Sequence, residues 1–172
     1  MVEESTINIS DKIPTGPWTL YFHQGDCEKW TLETFLKIQE CVKWSDVLGA
    51  IEEVGNTRLK NGQPFFMKGE ILPLWENYQN IRGGSYSVKV PSENVKDVFT
   101  THVLQAMLGL AFKEGGNNCV GISMSPKKGT FNIMKIWNVD SEKFNDPNGL
   151  CFLDYRCSDS EVLYTPHVQK RM

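Results

Sequence analysis

Residues 85–110, SYSVKVPSENVKDVFTTHVLQAMLGL, place the clearest strand of the chain directly before its clearest helix. The first six residues alternate polar and apolar side chains, which is typical of a strand with one buried face. Ser92 is the predicted N-cap of the helix, which we expect to end at the GGNN of residues 115–118. Its apolar residues recur every three or four positions and predict a face that lies on a sheet: Val95, Val98, Phe99, Val103, Ala106, Met107 and Leu110.

Further strands are predicted on both sides of this stretch. An earlier helix is predicted from Ser45 and Asp46, which can cap it, to Gly55 and Asn56. The total of about seven or eight strands, with two amphipathic helices and no strict alternation, indicates an α+β fold in which helices cover one face of an antiparallel sheet. The other predicted strands are WTLYFH (18–23), TFLKI (34–38), PFFMK (64–68), CVGISMS (119–125), FNIMKIWNV (131–139), LCFLDYR (150–156) and EVLY (161–164).

The length and composition predict one globular domain. At 172 residues, with 40% hydrophobic residues, the chain can bury one core, so we expect a flexible tail at residues 1–16 and a single domain at residues 17–172. No apolar stretch is long enough to span a membrane and the first residues do not resemble a signal peptide, so we expect an intracellular, soluble protein in the cytoplasm. The net charge of −3 excludes binding to nucleic acid by general electrostatic attraction.

The sequence offers little that would predict an enzyme. It has no nucleophile elbow, phosphate-binding loop or dinucleotide fingerprint, and its three histidines are widely spaced. The five cysteines form no metal or redox pair, so we expect reduced thiols, no metal site and no cofactor. We expect His102 to be a packed or a surface histidine, with no ligand role, and Cys119 to be a core residue. A thiol-dependent enzyme that acts on a nucleotide stays an alternative.

Two tryptophans lie in polar segments where a large apolar ring is costly to expose: Trp30 in DCEKWT and Trp75 in PLWENY. Each ring could simply fold back onto the core. The pair could instead hold a flat ligand between them, with the carboxylate of Glu76 at its edge. Aromatic faces favour a cationic ring, and a carboxylate accepts hydrogen bonds from a donor edge. Guanine methylated at N7 has both properties.

Phosphates attached to such a base need nearby cations. The turn PKKGT supplies Lys127 and Lys128 between two predicted strands, and strand parity places Lys135 on the same face as Trp137. A solvated turn with no ligand is the simpler explanation for the two lysines of the turn.

These residues resemble the eukaryotic translation initiation factor 4E family of mRNA cap-binding proteins. The strongest match is KGEILPLWENYQNIRGGSY (68–86), which looks like the family's signature of Trp-Glu followed by Asn, a basic residue and Gly-Gly. The likeness extends from about Ile13 to the C-terminus and implies a curved sheet with helices on its convex face. Weaker matches are WTLYF, EKW, SDVL, CVGISMSPKK, IMKIW and FLDYR.

The resemblance implies a role for each candidate site residue. Trp30 and Trp75 would stack on the 7-methylguanine, Glu76 would hold its Watson–Crick edge, and Trp137 would touch the N7-methyl group. Lys127 would replace the family's phosphate-binding arginine. Ser85 and Ile133 stand where the family tends to have basic residues, so the phosphate contacts are expected to include Lys128 or Lys135.

The resemblance also implies protein partners. Family members bind scaffold factor 4G, and competing 4E-binding proteins, through a tryptophan and leucines on the helical side. Leu48, Thr101 and Gln105 occupy these positions here, so we expect an altered partner surface and a dedicated scaffold protein similar to factor 4G. The short spacing between Trp137 and Tyr155 implies that the family's third helix is reduced or absent.

We therefore expect a non-catalytic protein that binds the 7-methylguanosine cap of mRNA and acts in translation initiation. The expected partners are capped mRNA and a scaffold protein, with no membrane and no DNA. The alternative is a cap-binding repressor, or a partner-binding module, that does not recruit the usual scaffold.

Overall fold

The computed structural model describes residues 6–127, 129–151, 154–157 and 162–168. A curved antiparallel sheet of seven strands has the order β2-β1-β3-β5-β6-β4-β7, and two main helices pack against it. The predicted α+β class is therefore confirmed. The strands are β1 (Trp18–Gln24), β2 (Phe35–Cys41), β3 (Gly62–Lys68), β4 (Gly84–Pro91), β5 (Cys119–Pro126), β6 (Phe131–Asn138) and β7 (Leu163–Pro166), and the helices are α1 (Trp44–Asn61) and α2 (Val95–Met107).

The register of the sheet separates two faces by residue parity. Phe65 of β3 pairs with Ser123 of β5, and Ser123 pairs with Lys135 of β6. Because successive side chains of a strand point to opposite faces, odd-numbered residues share one face across the central strands. Even-numbered residues such as Phe66 and Ile122 lie in the main core, on the face where α1 contacts β2, β3 and β5 and α2 contacts β4 and β5.

Helix α1 differs from its prediction at both ends. It begins at Trp44, and Asp46 acts from inside its first turn by accepting hydrogen bonds of 2.9 Å from the backbone N–H groups of Val42 and Lys43. These bonds lower the pKa of Asp46. The predicted end at Gly55 is wrong: Gly55 adopts φ 49°, which interrupts the helical geometry, but helical structure resumes and continues to Asn61. The glycine marks a kink.

The limits predicted for α2 also need correction. Ser92 belongs to a 3₁₀ turn, Ser92–Asn94, that precedes the helix, and Asn94 occupies the N-cap position. The helix ends at Met107, well before GGNN, because Gly109 adopts φ 74° there and its N–H binds the carbonyl of Ala106. The predicted apolar face is buried up to Met107, whereas Leu110, beyond the helix, is 52% exposed.

The region after β6 carries little regular structure among the described residues. The predicted strand at 150–156 is not a strand at the positions described: Leu150 forms only an isolated bridge with Phe112, and residues 154–157 form a turn. Phe152 and Leu153 lie outside the described residues. Within the described part of the chain no α-helix follows α2, in agreement with a reduced or absent third helix.

The segment expected to be a flexible tail is packed in its described second half. Ile13 is buried, the backbone N–H groups of Trp44 and Ser45 bind carbonyls of Asp11 and Ile9, and Thr15 donates to the Met107 carbonyl. Residues 9–15 differ from this expectation, because their hydrogen bonds join them to the start of α1 and the end of α2. Among the residues described, no helix is long and apolar enough to cross a membrane.

Candidate functional site

The odd-numbered face of the sheet carries a cavity of about 420 Å³. The loop between β1 and β2 and the loop between β3 and β4 each contribute a tryptophan to it, and the strands supply its floor. The helices lie on the opposite face, so the cavity is open to a ligand. Its lining residues are Trp30, Gln63, Phe65, Pro73, Trp75, Ser85, Ser123, Ser125, Lys127, Ile133, Lys135, Trp137, Thr165, Pro166 and His167.

The first tryptophan, Trp30, is held by aromatic contacts. Its ring stacks on His23 with a centroid distance of 3.8 Å and an interplanar angle of 5°, and it meets Phe35 edge-on at 6.0 Å. His23 is fully buried, and its Nε2–H donates to the Lys29 carbonyl at 2.8 Å. One face of the Trp30 ring is thus covered by His23, and the ring as a whole remains 46% exposed.

The second tryptophan, Trp75, projects from a loop that Asn80 organises. The fully buried side-chain amide of Asn80 donates to the carbonyls of Leu72 and Leu74, at 2.8 Å each. These bonds fix the chain just before Trp75, whose ring is 52% exposed. The loop then closes at Gly83, where an added Cβ would collide with the carbonyl of Asn138. The first glycine of the Gly-Gly motif is therefore required by the close approach of the loop to β6, and the second, Gly84, by the close approach of Tyr164 and Thr165 of β7.

Trp137 forms part of the cavity floor. It is 5% exposed, and its indole N–H donates to the Ser123 hydroxyl at 3.1 Å. Phe65 and His167 meet its ring edge-on, at 6.1 and 5.1 Å. The Nδ1–H of His167 donates to the Asn80 carbonyl at 2.7 Å, so the Trp75 loop and the floor are joined. Desolvation lowers the pKa of His167, and the charge of Lys135 acts in the same direction.

One end of the cavity is positively charged. Lys127 and Lys135 both line it, and neither forms an ion pair with the described residues. Partial desolvation and, secondarily, the positive charge of Lys127 lower the pKa of Lys135. A bound anion would relieve this repulsion. Lys128, the third predicted phosphate ligand, lies outside the described residues.

Some predicted site residues lie away from the cavity. Glu76 directly follows Trp75, but its side chain is exposed and does not line the cavity. The three predicted partner-surface residues are on the helices: Leu48 is 50% exposed, and Thr101 and Gln105 are half-buried. The Thr101 hydroxyl donates to the Asp97 carbonyl of its own helix at 2.9 Å.

The thiol chemistry that an enzyme would need finds no support at Cys119. Its thiol is buried in β5, and desolvation raises its pKa to about 12, which is the reverse of an activated nucleophile. His102 lies in the core, which is one of its two expected placements, and desolvation lowers its pKa to about 4. No group of three metal-ligating side chains occurs in the described part of the chain.

The sequence patterns did not indicate three residues that support the cavity: His23, Asn80 and His167. His23 and His167 looked isolated because the residues that they contact, apart from Lys29 and Trp30, are distant in the chain. Parity offered one usable signal, since His23 shares its strand face with Tyr21, which belongs to the aromatic cluster under the cavity. Asn80 lay inside the recognised motif, but only the folded loop shows that it orders the residues before Trp75.

Comparisons with known proteins point to one family. A family model described as eukaryotic initiation factor 4E matches residues 15–152. A curated relative, eukaryotic translation initiation factor 4E of Dictyostelium discoideum, is 28% identical over 114 residues, covering 64% of this chain and 45% of the relative. The chain thus spans about half the length of that relative.

Solved structures of similar fold include proteins captured with cap ligands. Ascaris suum eIF4E-3 with the m2,2,7G cap superposes with a TM-score of 0.64 at 18% identity, over 78% of this chain and 76% of that chain. Caenorhabditis elegans (C. elegans) eIF4E-3 with the 4E-binding protein Mextli and a cap analog gives 0.70 at 17% identity, over 91% and 92%. At such identities the likeness establishes the fold. Because the family model covers most of the sequence, the chain belongs to the eukaryotic initiation factor 4E family.

Proposed function

We propose that this protein binds the 7-methylguanosine 5′ cap of mRNA and acts in the cytoplasm as a translation initiation factor, without catalysing a reaction. One observation carries the proposal: two half-exposed tryptophans from separate loops line a single cavity that has lysines at one end. Membership of the family favours an initiation factor over a repressor.

The base would be held by aromatic faces. His23 covers one face of Trp30, so a ligand would use the opposite face, with Trp75 on its other side. N7-methylation places a positive charge on the guanine ring, and a desolvated cation–π contact contributes about 2 kcal/mol or more. Trp137, in the floor, would contact the N7-methyl group.

Glu76 would recognise the Watson–Crick edge of the base. Guanine presents N1–H and N2–H₂ side by side there, and a carboxylate only accepts hydrogen bonds. Its exposed position next to Trp75 leaves the carboxylate without a hydrogen bond to the described residues. Occupying this role would require Glu76 to turn toward the cavity when the base enters.

The phosphates would lie at the charged end, on Lys127 and Lys135, with Lys128 adjacent in sequence. The positive charge of Lys127 contributes to the lowered pKa of Lys135. A bound triphosphate would attract both lysines and offset this repulsion. Ser85 and Ile133 line the same cavity but carry no charge. The phosphate contacts would therefore rest on the lysines of β6 and of the β5–β6 turn.

The proposed partners are capped mRNA and a scaffold protein similar to factor 4G. The C. elegans eIF4E-3 structure contains a 4E-binding protein, and a schistosome eIF4E structure, with a TM-score of 0.66 at 16% identity, contains m7GpppA and 4E-BP. In this chain Leu48 occupies the position predicted for the partner-binding tryptophan. A dedicated partner with different anchoring residues is the corresponding proposal.

Fluorescence titration of the whole chain with 7-methyl-GTP and GTP tests the proposal. We expect 7-methyl-GTP to quench tryptophan emission and to bind at least tens of fold more tightly than GTP. Trp30→Ala and Trp75→Ala should each abolish most of this preference. Tyr78→Ala is the matched control, because Tyr78 is an aromatic residue of the Trp75 loop that is 81% exposed and does not line the cavity. Equal affinities for the two nucleotides would refute the assignment.

The phosphate contacts need a separate comparison. Lys127→Ala and Lys135→Ala should weaken binding of 7-methyl-GTP more than binding of 7-methylguanosine, and added salt should reduce the difference. Lys113→Ala, which changes an exposed lysine outside the cavity, serves as the control. If neither cavity lysine affects triphosphate binding, the phosphates lie elsewhere.

A further inference from the structure

A small groove adjoins the charged end of the cavity, and a larger hollow adjoins that groove but not the cavity. A groove of about 220 Å³ shares Lys127 with the cavity, and it shares Lys60 and Pro126 with a third, larger hollow of about 780 Å³. The smaller groove lies between the end of α1, the start of α2 and the β5–β6 turn. The three hollows therefore follow one another along the surface, starting at Lys127, where the phosphates are proposed to lie.

Positive charge predominates in the groove. Lys60, Lys96 and Lys127 line it against one carboxylate, Glu93. None of the three lysines forms an ion pair with the described residues. The first turn of α2 is part of the same wall, and its dipole adds positive potential. In a protein of net charge −3, this is a local surface suited to a polyanion.

A buried polar group also lines the groove. Asn132 is 7% exposed, and its Oδ1 lies 3.4 Å from the Ser92 hydroxyl. Its amide nitrogen forms no hydrogen bond with the part of the chain that the structure describes. Donors of this kind complement phosphate and ribose oxygens, which accept hydrogen bonds.

We propose that the groove lined by Lys60, Lys96 and Lys127 binds the sugar–phosphate backbone of the RNA nucleotides that follow the cap. This inference rests on the proposed function, which places the cap phosphates at Lys127. A chain that leaves Lys127 enters the groove directly and continues past Lys60 into the larger hollow. The site has lysines and amide donors but no aromatic side chain, so it binds backbone and does not read sequence.

Affinity as a function of RNA length tests the proposal. The probes are 7-methyl-GTP, a capped unstructured ten-nucleotide RNA and the same RNA without a cap. We expect the capped RNA to bind about five- to tenfold more tightly than 7-methyl-GTP at low salt, as a few exposed ion pairs allow. The combined substitution Lys60→Glu with Lys96→Glu should remove this gain and leave the dissociation constant for 7-methyl-GTP unchanged. The slope of log affinity against log salt for the capped RNA should also fall, by about 0.7 for each lost phosphate contact.

The matched control is Lys113→Glu with Lys143→Glu, two exposed lysines that line a separate hollow of about 340 Å³. For this control variant, the increase in affinity from 7-methyl-GTP to the capped RNA should equal that of the wild type. A normal affinity for 7-methyl-GTP with no gain from length overturns the groove alone, whereas no binding of 7-methyl-GTP overturns the proposed function and the groove with it. The groove is also refuted if the control pair loses the gain equally, or if a polyglutamate peptide of equal charge displaces the RNA tail as well as RNA does.

Discussion

His23 looked isolated in the sequence, but in the folded protein it supports one wall of the cavity. Its buried imidazole supports Trp30 from behind through a parallel stack, and its hydrogen bond to the Lys29 carbonyl fixes the backbone next to that ring. Its Nδ1 is buried without a hydrogen-bond partner among the described residues, which costs stability. A ring at this position therefore has a use beyond filling space: it positions the wall of the cavity.

His23→Ala should weaken binding of 7-methyl-GTP by about two- to tenfold, because an aromatic pair contributes about 0.5–1.5 kcal/mol beyond its buried area. His23→Phe keeps a ring behind Trp30 and should restore most of the affinity. Fluorescence titration measures both, with circular dichroism to follow the fold. Normal binding by a folded His23→Ala variant would show that Trp30 needs no support.

Glu76 allows a second prediction at the same scale. Glu76→Gln should weaken cap binding by about 1.5–3 kcal/mol without altering the fold, because an amide presents donors to the donor edge of guanine. Isothermal titration with 7-methyl-GTP measures the change. Glu70→Gln is the control, since Glu70 is an exposed carboxylate of the same loop that does not line the cavity. If both variants bind equally well, another acceptor holds the base.

Among the structural elements, the two helices carry the surface proposed for protein partners. Leu48 is half-exposed on α1, and Thr101 and Gln105 lie on or near the surface of α2. The Thr101 hydroxyl is already bound to its own helix. A partner helix anchors apolar side chains in a groove, and tryptophan is a frequent energetic centre of such interfaces. Leu48, Thr101 and Gln105 offer a partner helix less apolar area than a tryptophan and leucines would.

Peptides with the family's usual Tyr-and-Leu motif should therefore bind at least tenfold more weakly than to an ordinary family member. Losing about 100 Å² of buried apolar area costs roughly 2.5 kcal/mol. Isothermal titration measures the affinity, and the Leu48→Trp variant should recover part of it. Nanomolar binding to the unmodified chain would mean that other residues rebuild the groove.

At the scale of the whole molecule, His102 links the helical layer to the segment after β6. The backbone N–H of Asp154 donates to His102 Nε2 at 3.3 Å, and Arg156 binds the Asp154 carboxylate at 2.7 Å. Desolvation lowers the pKa of His102 from 6.5 to about 4. The bonds from Arg156 lower the pKa of Asp154 to about 2.

Acid should therefore destabilise the fold in two ranges. Between pH 6.5 and 4 the unfolded chain protonates His102 while the folded chain does not, so the free energy of unfolding falls as the pH is lowered. From pH 7 to 5 this loss is about 2 kcal/mol. The Asp154 contribution is fully present above its unfolded pKa and is lost as the pH falls toward about 2. Urea unfolding at pH 7 and at pH 5 should show a smaller loss of unfolding free energy for His102→Gln than for the unmodified chain. Nuclear magnetic resonance should find the His102 ring neutral at pH 5. A protonated ring at that pH would contradict the prediction.

The sequence predicted most of the strands, both helices and the motif around Trp75, because period-two and helical patterns and turn residues are local signals. It failed where local signals conflict: Gly55 was an expected end but is a kink, and Gly109, the actual end of α2, was passed over for a later glycine pair. The ends of a helix depend on which of several possible ends gives the most favourable packing with the rest of the protein. That packing is not a local property of the sequence.

Which side chains meet in the site became known from the folded structure. The sheet order brings the Trp30 loop, the Trp75 loop and the lysines of β6 and its turn to one cavity, although these segments are far apart in the chain. It also put His23 behind Trp30, joined His167 to Asn80 and aligned Lys60 and Lys96 beside Lys127. Such contacts follow from strand register and loop closure, which single-sequence patterns do not specify, and so the residue types of the site could be predicted while its supporting contacts could not.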